Sequence, residues 1–170
     1  MSKLVVTREV AAPTAAVWSA WSEPSYLVQW WGPDGFSCPS AVIDFPEGGS
    51  AVLAMRAPTE FGGGESYSLW RFTSIEPQQR IELIHDLCDA GGTPVDPASA
   101  RMPPDVPRAQ RQVIELEDRG GSTPVTVTEH GWPEGQMREF SWIGMEQCPA
   151  EMEGPLSSGT GRTGRDADGR

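Results

Sequence analysis

The order of elements along the 170 residues predicts an α+β fold, in which a curved antiparallel sheet wraps around a long C-terminal helix. Two observations lead to this prediction. Segments rich in β-branched or alternating apolar residues follow one another across short turns, and strands joined in this way pair antiparallel. The apolar face of such a sheet needs a cover, and only the final helix is long enough to provide it.

The N-terminal part of the chain predicts one strand and two short helices. Residues 3–10 are rich in β-branched side chains and indicate the first strand. Pro13 opens the first helix, because proline is favoured in a first helical turn. The segment Ser22-Glu23-Pro24 begins a second helix over residues 25–31, with Ser22 as its N-cap.

Six further strands are predicted after the turn that begins at Gly32. In one of them Ile81, Leu83, His85 and Leu87 alternate, which places them on one face. A proline-rich loop follows that strand and separates it from the last two. The six predicted strands are 41–45, 50–56, 65–75, 80–87, 110–116 and 124–129.

The last element is predicted as a helix that begins near Glu134. Pro149 lacks an N–H and clashes with the preceding turn, so we expect the helix to end or kink near Gln147. We therefore expect one domain over residues 1–148 and a disordered, Gly/Pro-rich tail over 149–170. One helical stripe carries Met137, Phe140, Gly144 and Cys148.

Charge and cysteine content exclude several classes of protein. A formal net charge of −11 disfavours binding to nucleic acids and to anionic membrane surfaces. The three cysteines are odd in number and far apart, so no disulfide framework is expected. Reduced thiols, with no signal peptide and no membrane-spanning stretch, predict a cytoplasmic protein.

Several short motifs stand in a characteristic order along residues 3–148. They are Ala11-Ala12-Pro13, Val17-Trp18, Trp30-Trp31-Gly32-Pro33, Gly35-Phe36, Asp44, Pro46-Glu47-Gly48-Gly49, Ile75-Glu76-Pro77, Arg80-Ile81, Thr126 to Glu129, Gly131-Trp132 and Gly144. Together they resemble the bacterial homologues of the heat-shock-protein-90 ATPase activator, in the START-like (SRPBCC) superfamily. Met145 departs from this pattern, which typically has Trp there.

The resemblance implies a helix-grip fold with a cavity between the sheet and the long helix. It does not imply one activity. The family name comes from a co-chaperone domain, whereas related START-like proteins bind lipids, polyketides, hormones or aromatic compounds, and a few are cyclases. The function therefore has to be argued from the site.

The residues that could line such a cavity come from strands and from the last helix. The seven tryptophans either pack the core, which is the ordinary role of buried rings, or line an aromatic pocket. An inward arginine could anchor a carboxylate or phosphate, although a surface ion pair is the ordinary role. The candidates for the ligand-binding wall are Trp70, His85, Arg56, Met137, Phe140 and Met145.

Three functions remain open at this point. The absence of a recognisable catalytic set favours a non-catalytic module that binds a small apolar or aromatic molecule. A cyclase or dehydratase would use His85 as acid–base, with Tyr67 or Arg71 orienting a carbonyl substrate. The third is a protein-binding role, with a chaperone or a second copy of the chain as partner. No cofactor is expected, and His85, Cys88 and Asp89 lack the further ligands that a structural zinc site needs.

Overall fold

A computed structural model describes residues 2–32 and 35–159, with side chains placed as far as Gln147 and for Met152. It confirms the predicted order of strand, two short helices, six strands and one long helix. Short 3₁₀ turns at 59–61 and 97–100 interrupt the loops. The elements are β1 (Ser2–Val10), α1 (Thr14–Ser22), α2 (Pro24–Trp30), β2 (Ala41–Ile43), β3 (Ser50–Arg56), β4 (Glu65–Glu76), β5 (Arg80–Cys88), β6 (Gln110–Leu116), β7 (Thr123–Trp132) and α3 (Gln136–Gly159).

The strands form one antiparallel sheet of seven strands in the order β1-β7-β6-β5-β4-β3-β2. Strands β2 to β7 are neighbours in sequence order, as expected from their turns. The first strand instead joins the last, with Val10 opposite Thr123. Register shifts between Phe72 and Ser74 in β4, and in β1, help the sheet to curve.

The α+β prediction of a curved antiparallel sheet with a long C-terminal helix is therefore correct. Helix α3 contacts β1, α1 and α2. Because side chains alternate along a strand, each strand presents every second residue to the concave side. On β4 these inward residues include Trp70 and Phe72, both buried in the core.

The two short helices cover one end of the concave face with an aromatic cluster of Trp21, Trp30, Trp31 and Trp70. The ring centroids of Trp21 and Trp30 lie 4.8 Å apart, and those of Trp31 and Trp70 lie 5.0 Å apart. Trp30 Nε1 donates a hydrogen bond of 2.8 Å to the carbonyl oxygen of Ala20. This bond ties α2 to α1, so these rings take part in packing, which is one of the two roles considered for the tryptophans.

The predicted N-cap of α2 is wrong. The N-cap is Glu23, without a side-chain cap, and Pro24 occupies the first helical turn. Ser22 is the last residue of α1, and its hydroxyl donates 2.7 Å to the carbonyl oxygen of Trp18. The Ser22 side chain is therefore used at the end of one helix and is not available to begin the next.

The last helix does not end near Gln147, because α3 continues to Gly159. The alternative, a kink near Gln147, stays a prediction. Met152 is only 1% exposed and belongs to the core. Burying such a side chain contributes about 1.5–3 kcal/mol, which offsets part of the roughly 3 kcal/mol that each of Pro149 and Pro155 costs within the helix. The predicted tail therefore concerns at most residues 160–170. These lie outside the described residues, and their disorder stays a prediction.

Within the described part of the chain, no helix combines the length and apolar character that crossing a membrane requires.

Candidate functional site

A pocket of about 580 Å³ lies between the concave face of the sheet and α3. Val6, Val125 and Val127 contribute to its wall from β1 and β7. The loops contribute aromatic and methionine side chains, among them Phe36 and Met102. Met152, from the last turns of α3, lines the pocket as well as the core.

Four of the six predicted wall residues line this pocket. His85 comes from β5, and α3 supplies Met137, Phe140 and Met145. Gly144 of α3 also lines the pocket.

Trp70 does not line the pocket, contrary to expectation, although it lies on the concave face. It is 1% exposed, and its ring stacks on Trp21 at 6.1 Å and meets Trp31 edge-on. The pocket is lined instead by Trp21 and Trp31. The reason is that the short helices cover Trp70, and their own rings therefore face the pocket.

Arg56 does not reach the pocket either. Its neighbour Met55 lines it, so strand alternation turns Arg56 to the outer face. There its Nε donates a hydrogen bond of 3.0 Å to Glu65, and the same carboxylate accepts a hydrogen bond of 2.9 Å from the hydroxyl of Tyr67. Arg56 therefore does not anchor a ligand from the cavity wall, contrary to expectation, because its side chain forms this exposed ion pair.

The side chains that the enzyme hypothesis requires do not converge. Tyr67 and Arg71 alternate with the inward residues of β4 and lie on the outer face. Arg71 donates a hydrogen bond of 2.7 Å to Asp86. The Asp86 carboxylate also accepts a hydrogen bond of 2.7 Å from the backbone N–H of Ala109. His85 lies on the opposite face of the sheet, out of hydrogen-bond reach of these two groups.

Most of the polar side chains of the pocket form a strip across β4, β5, β6 and β7, made of Ser68, His85, Gln110, Gln112 and Glu129. Arg8, Ser66 and Ser141 also line the pocket. The Nε2 of His85 lies 3.1 Å from the Ser68 hydroxyl. Gln112 Nε2 donates 2.9 Å to Gln110 Oε1. His85 stands opposite Gln110 in the register, and Gln112 stands opposite Glu129. The strip therefore runs continuously from strand to strand.

A family model described as "Activator of Hsp90 ATPase homolog 1-like protein" matches residues 11–155. The chain belongs to this family. No curated protein matches it. The match covers every strand of the sheet except β1, together with most of α3.

Solved structures show the same fold in this family. A protein from Nitrosomonas europaea is 20% identical, with a TM-score of 0.71 over 94% of this chain and 96% of that one. The AHSA1 protein from Silicibacter pomeroyi is 17% identical, with a TM-score of 0.70 over 93% and 99%. An AHSA1-like protein from Aeromonas hydrophila is 15% identical, with a TM-score of 0.68 over 98% and 100%. At these identities the likeness concerns the fold.

Burial shifts the pKa of each titratable group of the strip in the direction that favours its neutral form. Burial lowers the pKa of His85 to about 4, because the charged imidazolium loses its hydration. Burial also raises the pKa of Glu129. This effect of burial is larger than the opposing effect of the hydrogen bonds from Trp132 and Ser141, which lower the pKa. Trp132 Nε1 donates a hydrogen bond of 3.0 Å to the Glu129 carboxyl, and the Ser141 hydroxyl donates one of 2.9 Å.

The buried thiols have low reactivity. Burial raises the pKa of both Cys38 and Cys88 to about 11, so the reactive thiolate is scarce near neutral pH. Among the residues that the structure describes, no group of three or more His, Cys, Asp or Glu side chains is placed to hold a metal ion.

Sequence reasoning missed most of the strip, although a signal was present. Gln110 and Gln112 alternate in phase with the apolar Ile114 and Leu116 of β6. Glu129 alternates in phase with Val125 and Val127 of β7. A polar residue that continues an apolar face is a candidate for the wall of a pocket.

Proposed function

We propose that the chain binds a small apolar or aromatic molecule in the pocket between the sheet and α3. The observation that carries the proposal is the pocket itself. Its volume of about 580 Å³ falls within the range typical of small-molecule sites, and valine, methionine and aromatic side chains form most of its wall. Burying an apolar ligand against such a wall is favourable in proportion to the area removed from water.

The aromatic side chains favour a flat ligand. Trp21, Trp31 and Trp132 face the pocket, and aromatic rings pair in stacked or edge-to-face arrangements. Met137 and Met145 lie on α3, where their flexible side chains can adapt to the outline of the ligand.

Binding is better supported than catalysis. A cyclase or dehydratase needs groups that orient its carbonyl substrate close to the acid–base. Tyr67 and Arg71 lie across the sheet from His85, so the three residues considered for catalysis cannot act on one substrate. His85 alone fits a binding role.

The first test is native mass spectrometry of freshly purified protein, followed by tryptophan fluorescence titration with a panel of apolar and aromatic compounds. Gly144→Phe places a ring in the pocket, and we expect at least a tenfold loss of affinity. Glu139→Phe adds the same ring on the exposed side of α3 and serves as the matched control. The proposal fails if wild-type protein carries no small molecule and responds to no member of the panel.

A second candidate is the binding of a chaperone, which the family name suggests. The specific observation is that α3 leaves Phe140, Trp142 and Ile143 about half exposed. Trp142 does not line the pocket, so Trp142→Ala separates this role from ligand binding. If the role is real, wild-type protein changes the ATP turnover of an Hsp90-type chaperone and the variant does not.

We also propose that the chain acts in the cytoplasm. Cys38 and Cys88 are free thiols, and free buried thiols are typical of reducing compartments. Fractionation of the source cells would test this placement.

A further inference from the structure

Given the proposed function, we propose that the ligand carries an uncharged oxygen, a hydroxyl or a carbonyl, which binds to Gln110 and His85. The apolar body of the ligand would lie against α3 and the tryptophans. Its oxygen would meet the polar strip of Ser68, His85, Gln110, Gln112 and Glu129. This assigns a chemical class to the ligand and a defined place for its polar group.

The first supporting observation is an unpaired amide on Gln110. This residue is 4% exposed and faces the pocket. Its Oε1 accepts from Gln112, whereas its Nε2 is buried without a hydrogen-bond partner. Buried polar atoms almost always have partners, and leaving one unpaired is unfavourable. Because this atom has almost no open surface, the Gln110 amide has to rotate toward the pocket for a ligand oxygen to accept from it.

The second observation is a matching unpaired atom on His85. Its Nε2 is engaged with the Ser68 hydroxyl, and its Nδ1 is buried without a partner. His85 and Gln110 are direct cross-strand partners of β5 and β6, so their side chains are neighbours on the same face. A hydroxyl can donate to Nδ1 and accept from Gln110, and a carbonyl can accept from both groups in the other imidazole tautomer.

The charges around the pocket disfavour an ionised group on the ligand. Arg8 is the permanently charged cation among the described lining residues, and it is ion-paired with Glu146 of α3. The Glu129 carboxyl already accepts from Trp132 and Ser141. An anion would therefore find no free cation, and an ammonium would find no free carboxylate.

The test uses the full chain and four probes with one shared body: biphenyl, 4-hydroxybiphenyl, 4-acetylbiphenyl and biphenyl-4-carboxylate. Affinities are measured by tryptophan fluorescence and by calorimetry. We expect the hydroxyl or the ketone to bind about tenfold more tightly than biphenyl, because it pairs atoms that are otherwise unpaired. The carboxylate should bind less tightly than either.

Variants locate the effect. Gln110→Met keeps the side-chain length and removes the amide, so the advantage of the oxygen should fall to less than about threefold. Gln29→Met makes the same change at an exposed residue of α2 that does not line this pocket, and it should retain the advantage. If Gln110→Met does not fold, His85→Leu and the NMR shift of the Gln110 side-chain amide supply the same information.

The outcomes separate the two proposals. If no probe binds, the proposed function fails. If the probes bind alike, water satisfies the strip and only the present inference is overturned. It is also overturned if the carboxylate binds most tightly, or if Gln110→Met and His85→Leu both keep the preference for the oxygen.

Discussion

His85 and Glu129 are titratable side chains that line the pocket, and burial favours the uncharged form of each. Their effects on stability have opposite signs. The pKa of His85 lies below its ordinary value, so the native state resists taking up a proton. The pKa of Glu129 lies above its ordinary value, so the native state resists losing one. Each sign leads to a separate prediction.

For His85, wild-type stability should fall as the pH is lowered from about 6.5 to about 4. The unfolded chain takes up a proton on His85 near its ordinary pKa of 6.5, whereas the native protein does so only near 4. His85→Leu should remove this contribution, which is at most about 3 kcal/mol at pH 4. Urea unfolding at several pH values measures the difference, and identical pH slopes for the two proteins would contradict the prediction.

For Glu129, the free energy of unfolding should decrease as the pH rises above about 4.5. Ionising a buried carboxyl costs more in the native state than in the unfolded chain. Glu129→Gln cannot ionise, so its stability relative to wild type should improve as the pH rises above about 4.5. Ser141→Ala removes a donor to the carboxylate and should become more harmful over the same range. Thermal unfolding across this range tests both, and a difference that is constant with pH would count against the buried carboxyl.

Single elements of the fold depend on a few positions at their ends. The turn between β2 and β3 contains Gly48 and Gly49, and Gly48 has φ +81°. A Cβ on Gly49 would collide with the carbonyl oxygen of Asp44 and lie 3.0 Å from Pro46 Cδ. Within the family motif, Gly48 is thus favoured by its left-handed backbone, and Gly49 is required by close contact with the backbone of the turn.

Gly49→Ala should lower the free energy of unfolding by about 1–3 kcal/mol, because the added methyl group forces the turn apart. Gly121→Ala is the control, since a Cβ there meets nothing within 4 Å. It should change stability by less than about 0.5 kcal/mol. Chemical denaturation of both variants measures the effect, and equal stabilities would show that the turn can adjust.

Helix α3 depends on the side chain that it buries beyond Pro149. Met152→Ala should destabilise the protein by about 2–5 kcal/mol, the usual cost of removing a buried methionine side chain. Trp142→Ala, at a half-exposed position of the same helix, should cost less than half as much. If Met152→Ala proves neutral in thermal unfolding, the helix beyond Gln147 contributes little to the core.

At the scale of the whole molecule, the sheet and α3 enclose a space that neither would form alone. A ligand that binds only the native state stabilises it by about 2.7 kcal/mol at a hundred times its Kd. For a chain of this size we expect 4-hydroxybiphenyl at that excess to raise the Tm by roughly 5–10 °C. Gly144→Phe should show no such rise, and an equal rise in the variant would place the bound probe elsewhere.

The sequence by itself determined the order of the elements and the residues that share each strand face, because turns and side-chain alternation are local properties. It predicted the seven strands and placed His85 in phase with Ile81 and Leu83. It also predicted that α3 would supply Met137, Phe140 and Met145 to the pocket. These residues follow from the period of a strand or a helix, which neighbouring residues set.

Only the tertiary structure decided which face of β4 is inward and which end of the sheet the short helices cover. Trp70 is buried because α1 and α2 pack over it, while Tyr67 and Arg71 lie outside. The pairing of β1 with β7, the burial of Met152 and the alignment of His85 with Gln110 all join residues that are distant in sequence. Such contacts depend on how the whole chain packs, and a local pattern carries no information about them.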